Sequence, residues 1–122
     1  MNLITTLLTL EAQLQVFHWQ TKSYSEHKAL GKLHDNLVDL IDTFVETFSG
    51  RYGVPAAKND YKLTVVNYKD NGTCVEYIDR TIAYMTKDVP TMLNPAEDTD
   101  LLNIRDEIVG VLNRTKYLLR LK

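Results

Sequence analysis

Leu3, Leu7, Leu10, Leu14 and Phe17 recur at steps of three and four residues. That spacing puts them on one face of a helix with about 3.6 residues per turn. The rhythm returns in Leu30, Leu33, Leu37, Leu40, Ile41, Phe44 and Phe48, then in Val75, Ile78, Ile82, Met85 and Val89. It returns a last time in Leu101, Ile104, Ile108, Leu112 and Leu119. Each stripe must be buried against something, and four such helices bury one another most simply as a bundle. The expected fold class is therefore all-α, in a single domain spanning residues 1–122.

Breakers set the connections. The first helix covers residues 2–20, Ser23 to Ser25 turn the chain, and Ser25 is the expected N-cap of the second helix. That helix runs to about Phe48, where Ser49-Gly50 stops it. Arg51 to Gly72 form a connection of 22 residues with Gly53, Pro55 and Asn71-Gly72 inside it, long for a helical bundle. Tyr61 to Tyr68 is apolar enough to pack there, as a short helix or an extended segment. Thr73-Cys74-Val75-Glu76 reads as a capping box for the third helix, which Pro90 ends. The fourth begins near Asp98–Thr99 and carries Arg114, Lys116, Arg120 and Lys122 toward its end, where the helix dipole favours cations. Four helices with one long crossover connection between helices two and three is the ferritin-like arrangement.

Composition removes several classes of function. A net charge of −2 gives no electrostatic reason to expect nucleic-acid binding. No apolar run approaches the ~20 residues that span a bilayer, and the N-terminus lacks the basic and apolar regions of a secretory signal. A lone cysteine, Cys74, excludes an internal disulfide and suits a reducing compartment. The expected location is the cytoplasm.

The chemistry-bearing side chains gather in the first two helices. His18 ends the first, and the short turn after it places His18 beside the start of the second, close to His27. Asp42 and Glu46 are i,i+4 neighbours that can share one ion. Fifteen residues separate His27 from Asp42, a rise of roughly 22 Å. A metal reaches its ligands at only about 2 Å, so the histidines and the acids of one chain cannot share an ion. Two chains packed antiparallel about a two-fold axis would join one half-site from each, twice over. Glu11 lies one heptad before His18 and is a candidate half-buried carboxylate, read first as a rim residue and second as a metal ligand. Asp35 and Asp39 read as a solvated face, His34 as a hydrogen-bonded core residue, and Phe17 and Trp19 as core or interface anchors.

His18-Trp19, a histidine opening the next helix, and Asp42-x-x-x-Glu46 resemble the ferroxidase signature of Dps-type mini-ferritins and of short ferritin-like proteins from phage genomes. The resemblance covers about residues 8–53. It implies an iron site, of one ion or two, between subunits, with His18 and His27 from one and Asp42 and Glu46 from the other as ligands and catalytic residues. It further implies a tryptophan packed near the iron, a small helix in the long connection at the dimer interface, and a dodecamer. This chain departs from the pattern twice. Gly31 stands four residues after the second histidine where the family has an acid, and the two histidines are only nine residues apart.

The expected function is thus Fe(II) oxidation by a homo-oligomer, a two-fold dimer at minimum, with iron storage or oxidative-stress protection if a shell closes. The other di-iron layout needs Glu-x-x-His motifs, and the third and fourth helices contain no histidine. The rival expectation is a non-catalytic ferritin-like bundle that binds a protein or small-molecule partner, favoured by Gly31 and the short chain. DNA coating by a basic tail finds no counterpart in Met1-Asn2-Leu3.

Overall fold

Asn2 opens the first helix by accepting amide protons from Ile4 at 2.8 Å and Thr5 at 3.3 Å, as an N-cap side chain should. In the computed structural model, which describes residues 2–121, α1 spans Leu3–Gln20, α2 Tyr24–Tyr52, α3 Asn71–Ala83 and α4 Thr99–Arg120. No strand occurs among the described residues, so the chain is an all-helical bundle. Lys122, expected at the end of the last helix, lies outside the described residues.

Several helix ends differ from expectation, each for a local reason. Ser23, not Ser25, caps α2, accepting from the Glu26 amide at 3.3 Å. Gly50 sits inside α2, which continues to Tyr52 and stops at Gly53, whose φ of +88° no other residue type adopts at so little cost. The expected capping box at Thr73 is displaced by Asp70, whose carboxylate takes both the amide (2.8 Å) and the hydroxyl (2.9 Å) of Thr73. Past Ala83 the third helix widens into a π turn, Tyr84–Asp88, and tightens into a 3-10 turn, Val89–Met92. Pro90 explains this. It has no amide proton, and in α register its ring would strike the Thr86 carbonyl. The Met85 carbonyl finds a donor in Arg105 Nη1 at 3.2 Å.

The stripes meet as their spacing requires. Leu7, Leu10, Leu14, Phe17, Leu30, Leu33, Leu37, Phe44, Ile78, Met85, Ile108 and Leu112 are buried in one core. Phe17 meets Tyr68 and Tyr77 edge to face, with ring centres 6.2 and 5.9 Å away. Burial pushes the Cys74 thiol up to about 12, which makes it an inert core residue. α2 packs closely on α1 and on α4, and α3 on α4, whereas α1 meets α3 through long side chains such as Phe17 on Tyr77. Of the two roles expected for Trp19, core or interface anchor, the core one falls away: it is 67% exposed, because it follows His18 round the helix onto the outer side.

Two carboxylates tie the ends. Glu26, buried in the first turn of α2, accepts from the Thr21 hydroxyl (2.6 Å), the Tyr68 hydroxyl (2.6 Å) and the Asn71 amide. Asn71 also donates to the Leu119 carbonyl at 2.9 Å. The starts of α2 and α3 and the end of α4 therefore lie together. At the opposite end Asp98 accepts from Tyr52 and from the Asn94 amide, with Arg51 Nε at 3.6 Å. Between them the chain from Gly53 to Asp70 runs as a non-helical strap, without the small helix the resemblance implies. Gln13, buried in the leucine stripe of α1, holds it by donating to the Val66 carbonyl and accepting from the Val66 amide, both at 2.8 Å.

Burial pushes the Glu26 carboxyl up, but hydrogen bonds from Thr21, Tyr68 and Asn71 outweigh it and leave the pKa below the ordinary value. A lowered folded pKa contributes stability above the unfolded pKa, and that contribution is lost as pH falls through the folded one. Glu26→Gln should lose roughly 1–3 kcal/mol at pH 7. Urea unfolding from pH 7 to pH 3 checks this: wild type and variant should converge at the acid end, where both side chains are uncharged.

Candidate metal centre

The turn between α1 and α2 is so short that the last turn of one helix lies on the first turns of the other. Each histidine there grips the other's backbone. His18 Nδ1 lies 2.7 Å from the His27 carbonyl, and His27 Nδ1 lies 2.8 Å from the His18 carbonyl. A carbonyl only accepts, so both Nδ1 atoms carry the proton and donate. In the neutral rings both Nε2 atoms then keep a bare lone pair, the state in which imidazole binds a metal. The rings stack with centres 3.9 Å apart and planes 14° apart. Lone pairs in nearly parallel planes cannot both point at one ion about 2 Å away. As the rings stand each would take an ion of its own, and a single shared ion would require one ring to turn.

Gly31 makes this stack possible. A Cβ at residue 31 would stand 2.7 Å from His18 Cε1 and 3.0 Å from His18 Nδ1. The ring therefore occupies the space that an acidic side chain would need at this position. The missing acid and the short histidine spacing are one event: the tight turn lays His18 over α2, and only glycine fits beneath it.

Asp42 and Glu46 lie about four turns farther along α2, on its exposed side. A hydrogen bond with Asp42, and then repulsion from its charge, push the Glu46 carboxyl above its ordinary pKa. The two acids are close to each other and far from the histidines. Among the described residues no three His, Cys, Asp or Glu side chains gather in one chain. His18, His27, Gly31 and Asp35 line a groove of about 880 Å³ that reaches Leu118 of α4 and Leu121 just past its end. Glu11, Val38, Ile41 and Asp42 line a second concavity of about 380 Å³ farther along the α1–α2 face.

The remaining candidates settle as follows. Glu11 is half-buried, and burial pushes its carboxyl up, with the His34 ring opposing and Asp42 adding to the rise. His34 is not a core residue. It is half-exposed on the α2 surface, with Nδ1 3.4 Å from Asp35, because its place in the helix falls beside the core stripe, between Leu33 and Leu37, and not on it. Asp35 and Asp39 are exposed, as expected of a solvated face. Sequence reasoning missed Gly31 as the seat of His18 and Glu26 as the anchor of the turn. Glycine inside an amphipathic helix, one turn after a histidine, was the signal available for the first.

A model described as "Family of unknown function (DUF5856)" matches residues 18–119, a span that holds all four candidate residues. The "Uncharacterized 14.6 kDa protein in mobD-ri intergenic region" of Enterobacteria phage T4 is 31% identical over 119 residues, covering 95% of this chain and 84% of the relative. No solved structure matches the chain.

Gly31→Ala and Gly50→Ala should move stability in opposite directions. Gly50 has open space around its missing Cβ, so alanine there should add about 0.5–1 kcal/mol. At residue 31 the ring of His18 must leave the His27 carbonyl, a cost of roughly 1–3 kcal/mol that exceeds the same gain. Urea unfolding of the two variants checks the sign, and histidine ring NMR shifts should move only in Gly31→Ala.

Proposed function

The chain belongs to the DUF5856 family, and we propose for it the role of a ferritin-like protein that binds and oxidises Fe(II) between two subunits. His18 and His27 of one subunit would hold iron, an ion to each ring unless one of them turns, with Asp42 and Glu46 of the partner subunit. Iron is the substrate here: Fe(II) loses an electron to oxygen or peroxide, and the carboxylates stabilise the Fe(III) product. The observation that carries the reading is the reciprocal histidine clasp, which engages both Nδ1 atoms and leaves both Nε2 atoms for a ligand, with His27 15 residues before the acid pair on the same helix.

Other features support it. Both half-sites border concavities that involve α1 and α2, so a second copy laid end for end across that side would meet each half-site with its complement. With α2 and α3 starting at one end, the strap crosses the length of the bundle, as in the ferritin-like arrangement. The assembly proposed is a homo-oligomer built from such dimers; a storage shell of twelve subunits rests on the resemblance alone. No helix among the described residues is long and apolar enough to cross a membrane, and with a phage relative the host cytoplasm is the compartment proposed.

One observation favours the second reading, a non-catalytic bundle that binds a protein or small molecule. The stacked rings lie in nearly parallel planes, and exposed Tyr24, 75% accessible, lies over His27 with ring centres 6.3 Å apart. Such a surface also suits a flat or apolar partner.

Subunit mixing separates the two. His27→Ala and Asp42→Ala should each abolish the fast ferric absorbance rise when Fe(II) is added in air. After unfolding and refolding together in equal amounts, half the dimers carry both variants, and each of these regains one intact site of two. The mixture should then recover about a quarter of the wild-type rate. A mixture as slow as either variant alone removes the shared site, and equal rates in wild type and variants remove the oxidase.

A further inference from the structure

α1 and α3 make little close backbone approach, and a cleft of about 520 Å³ opens between them. Apolar residues would be expected where two bundle helices face each other. Instead Thr6 and Thr9 come from α1, and Arg80, Thr81, Tyr84 and Lys87 from α3 and its π turn. Three threonine hydroxyls already donate, Thr6 to the Asn2 carbonyl (3.1 Å), Thr9 to Thr5 (2.6 Å) and Thr81 to Tyr77 (3.0 Å). Their remaining capacity is to accept.

Tyr84 provides the complementary group. Its Oη is buried and, among the described residues, is the one buried side-chain polar atom without a hydrogen-bond partner. The Thr6 hydroxyl is near enough to oppose the rise in pKa that burial causes, but the pair does not reach hydrogen-bond geometry. An orphaned buried hydroxyl is costly, and here it stands at the first residue of the π turn. At the rim Arg80, stacked over the Tyr77 ring at 5.6 Å, and Lys87 outnumber the one carboxylate, Asp88.

We propose that this cleft binds a small phosphorylated molecule bearing free hydroxyl groups, of the sugar-phosphate kind. Arg80 and Lys87 take the phosphate, Tyr84 donates to a ligand oxygen, and the threonine oxygens accept from the ligand's hydroxyls. Arg80 is suited to this because its planar fork matches a phosphate and the tyrosine beneath restrains its plane. The site shares no residue with the histidine pair, so it stands or falls independently of iron chemistry.

The test is calorimetric titration of the full chain with ribose 5-phosphate, ribose and inorganic phosphate in parallel. Ribose 5-phosphate should bind saturably, and the two fragments at least about tenfold more weakly. Tyr84→Phe and Arg80→Gln should each weaken ribose 5-phosphate by roughly tenfold, the factor that one hydrogen bond of ~1.4 kcal/mol supplies. Without ligand, Tyr84→Phe should raise the Tm, because it removes an unpaired buried hydroxyl. Absence of saturable binding up to millimolar ribose 5-phosphate overturns the proposal. So does phosphate binding as tightly as the sugar phosphate, unchanged affinity in both variants, or a lowered Tm in Tyr84→Phe.

Discussion

A carboxylate buried with no cation beside it among the described residues organises one end of this molecule. Moving Glu26 out of water costs several kcal/mol, and the cost is offset by three neutral donors that arrive from three places in the chain: Thr21 in the turn, Tyr68 in the strap and Asn71 at the start of α3. Because Asn71 also holds the Leu119 carbonyl, one side chain fixes the ends of all four helices relative to the turn. His27 is the next residue along. Its ring can reach back to the His18 carbonyl only while that first turn of α2 stays in place, so the candidate site depends on the hydrogen bonds of its neighbour.

Turn length, ring position and residue 31 are physically coupled. A longer turn would let His18 stand clear of α2 and leave room for a side chain at residue 31. The nine-residue spacing instead presses the imidazole to within 2.7 Å of where a Cβ would be. An acid there and a stacked histidine pair exclude each other. Where a side chain at residue 31 would otherwise stand, the groove presents two imidazoles oriented by backbone carbonyls.

The helices, their order and the meeting of His18 with His27 were legible because they depend on local spacing. Leu30, Leu33 and Leu37 announce a buried face whatever surrounds them. Caps were less legible: Ser23 and Ser25 are chemically equivalent candidates, and only the path of the turn selects Ser23. Asp70 took Thr73 out of its expected capping role for the same reason. The two carboxylate anchors were not legible. Glu26 meets Tyr68 and Asn71 across more than 40 residues of chain, and Asp98 meets Tyr52 across 46. Nothing in the composition around either residue distinguishes a buried hydrogen-bonded acid from a solvated one. Gln13 was a missed clue, a polar residue among Leu10, Leu14 and Phe17 whose burial demanded a backbone partner.

That same helix shows why the bundle is lopsided. A helix with one apolar stripe needs neighbours on one side only, but α1 carries polar groups on three lines. Gln13 faces the strap, Thr6 and Thr9 face α3, and Glu11, Gln15 and His18 face α2 and solvent. Its leucines are left a narrow contact, met chiefly by α2. The Tyr84 hydroxyl is already buried there without a partner among the described residues, a cost of about 1–3 kcal/mol, while Thr6 and Thr9 turn their hydroxyl protons back onto their own helix. The helix that presents His18 to one flank thus leaves a polar cleft on the other.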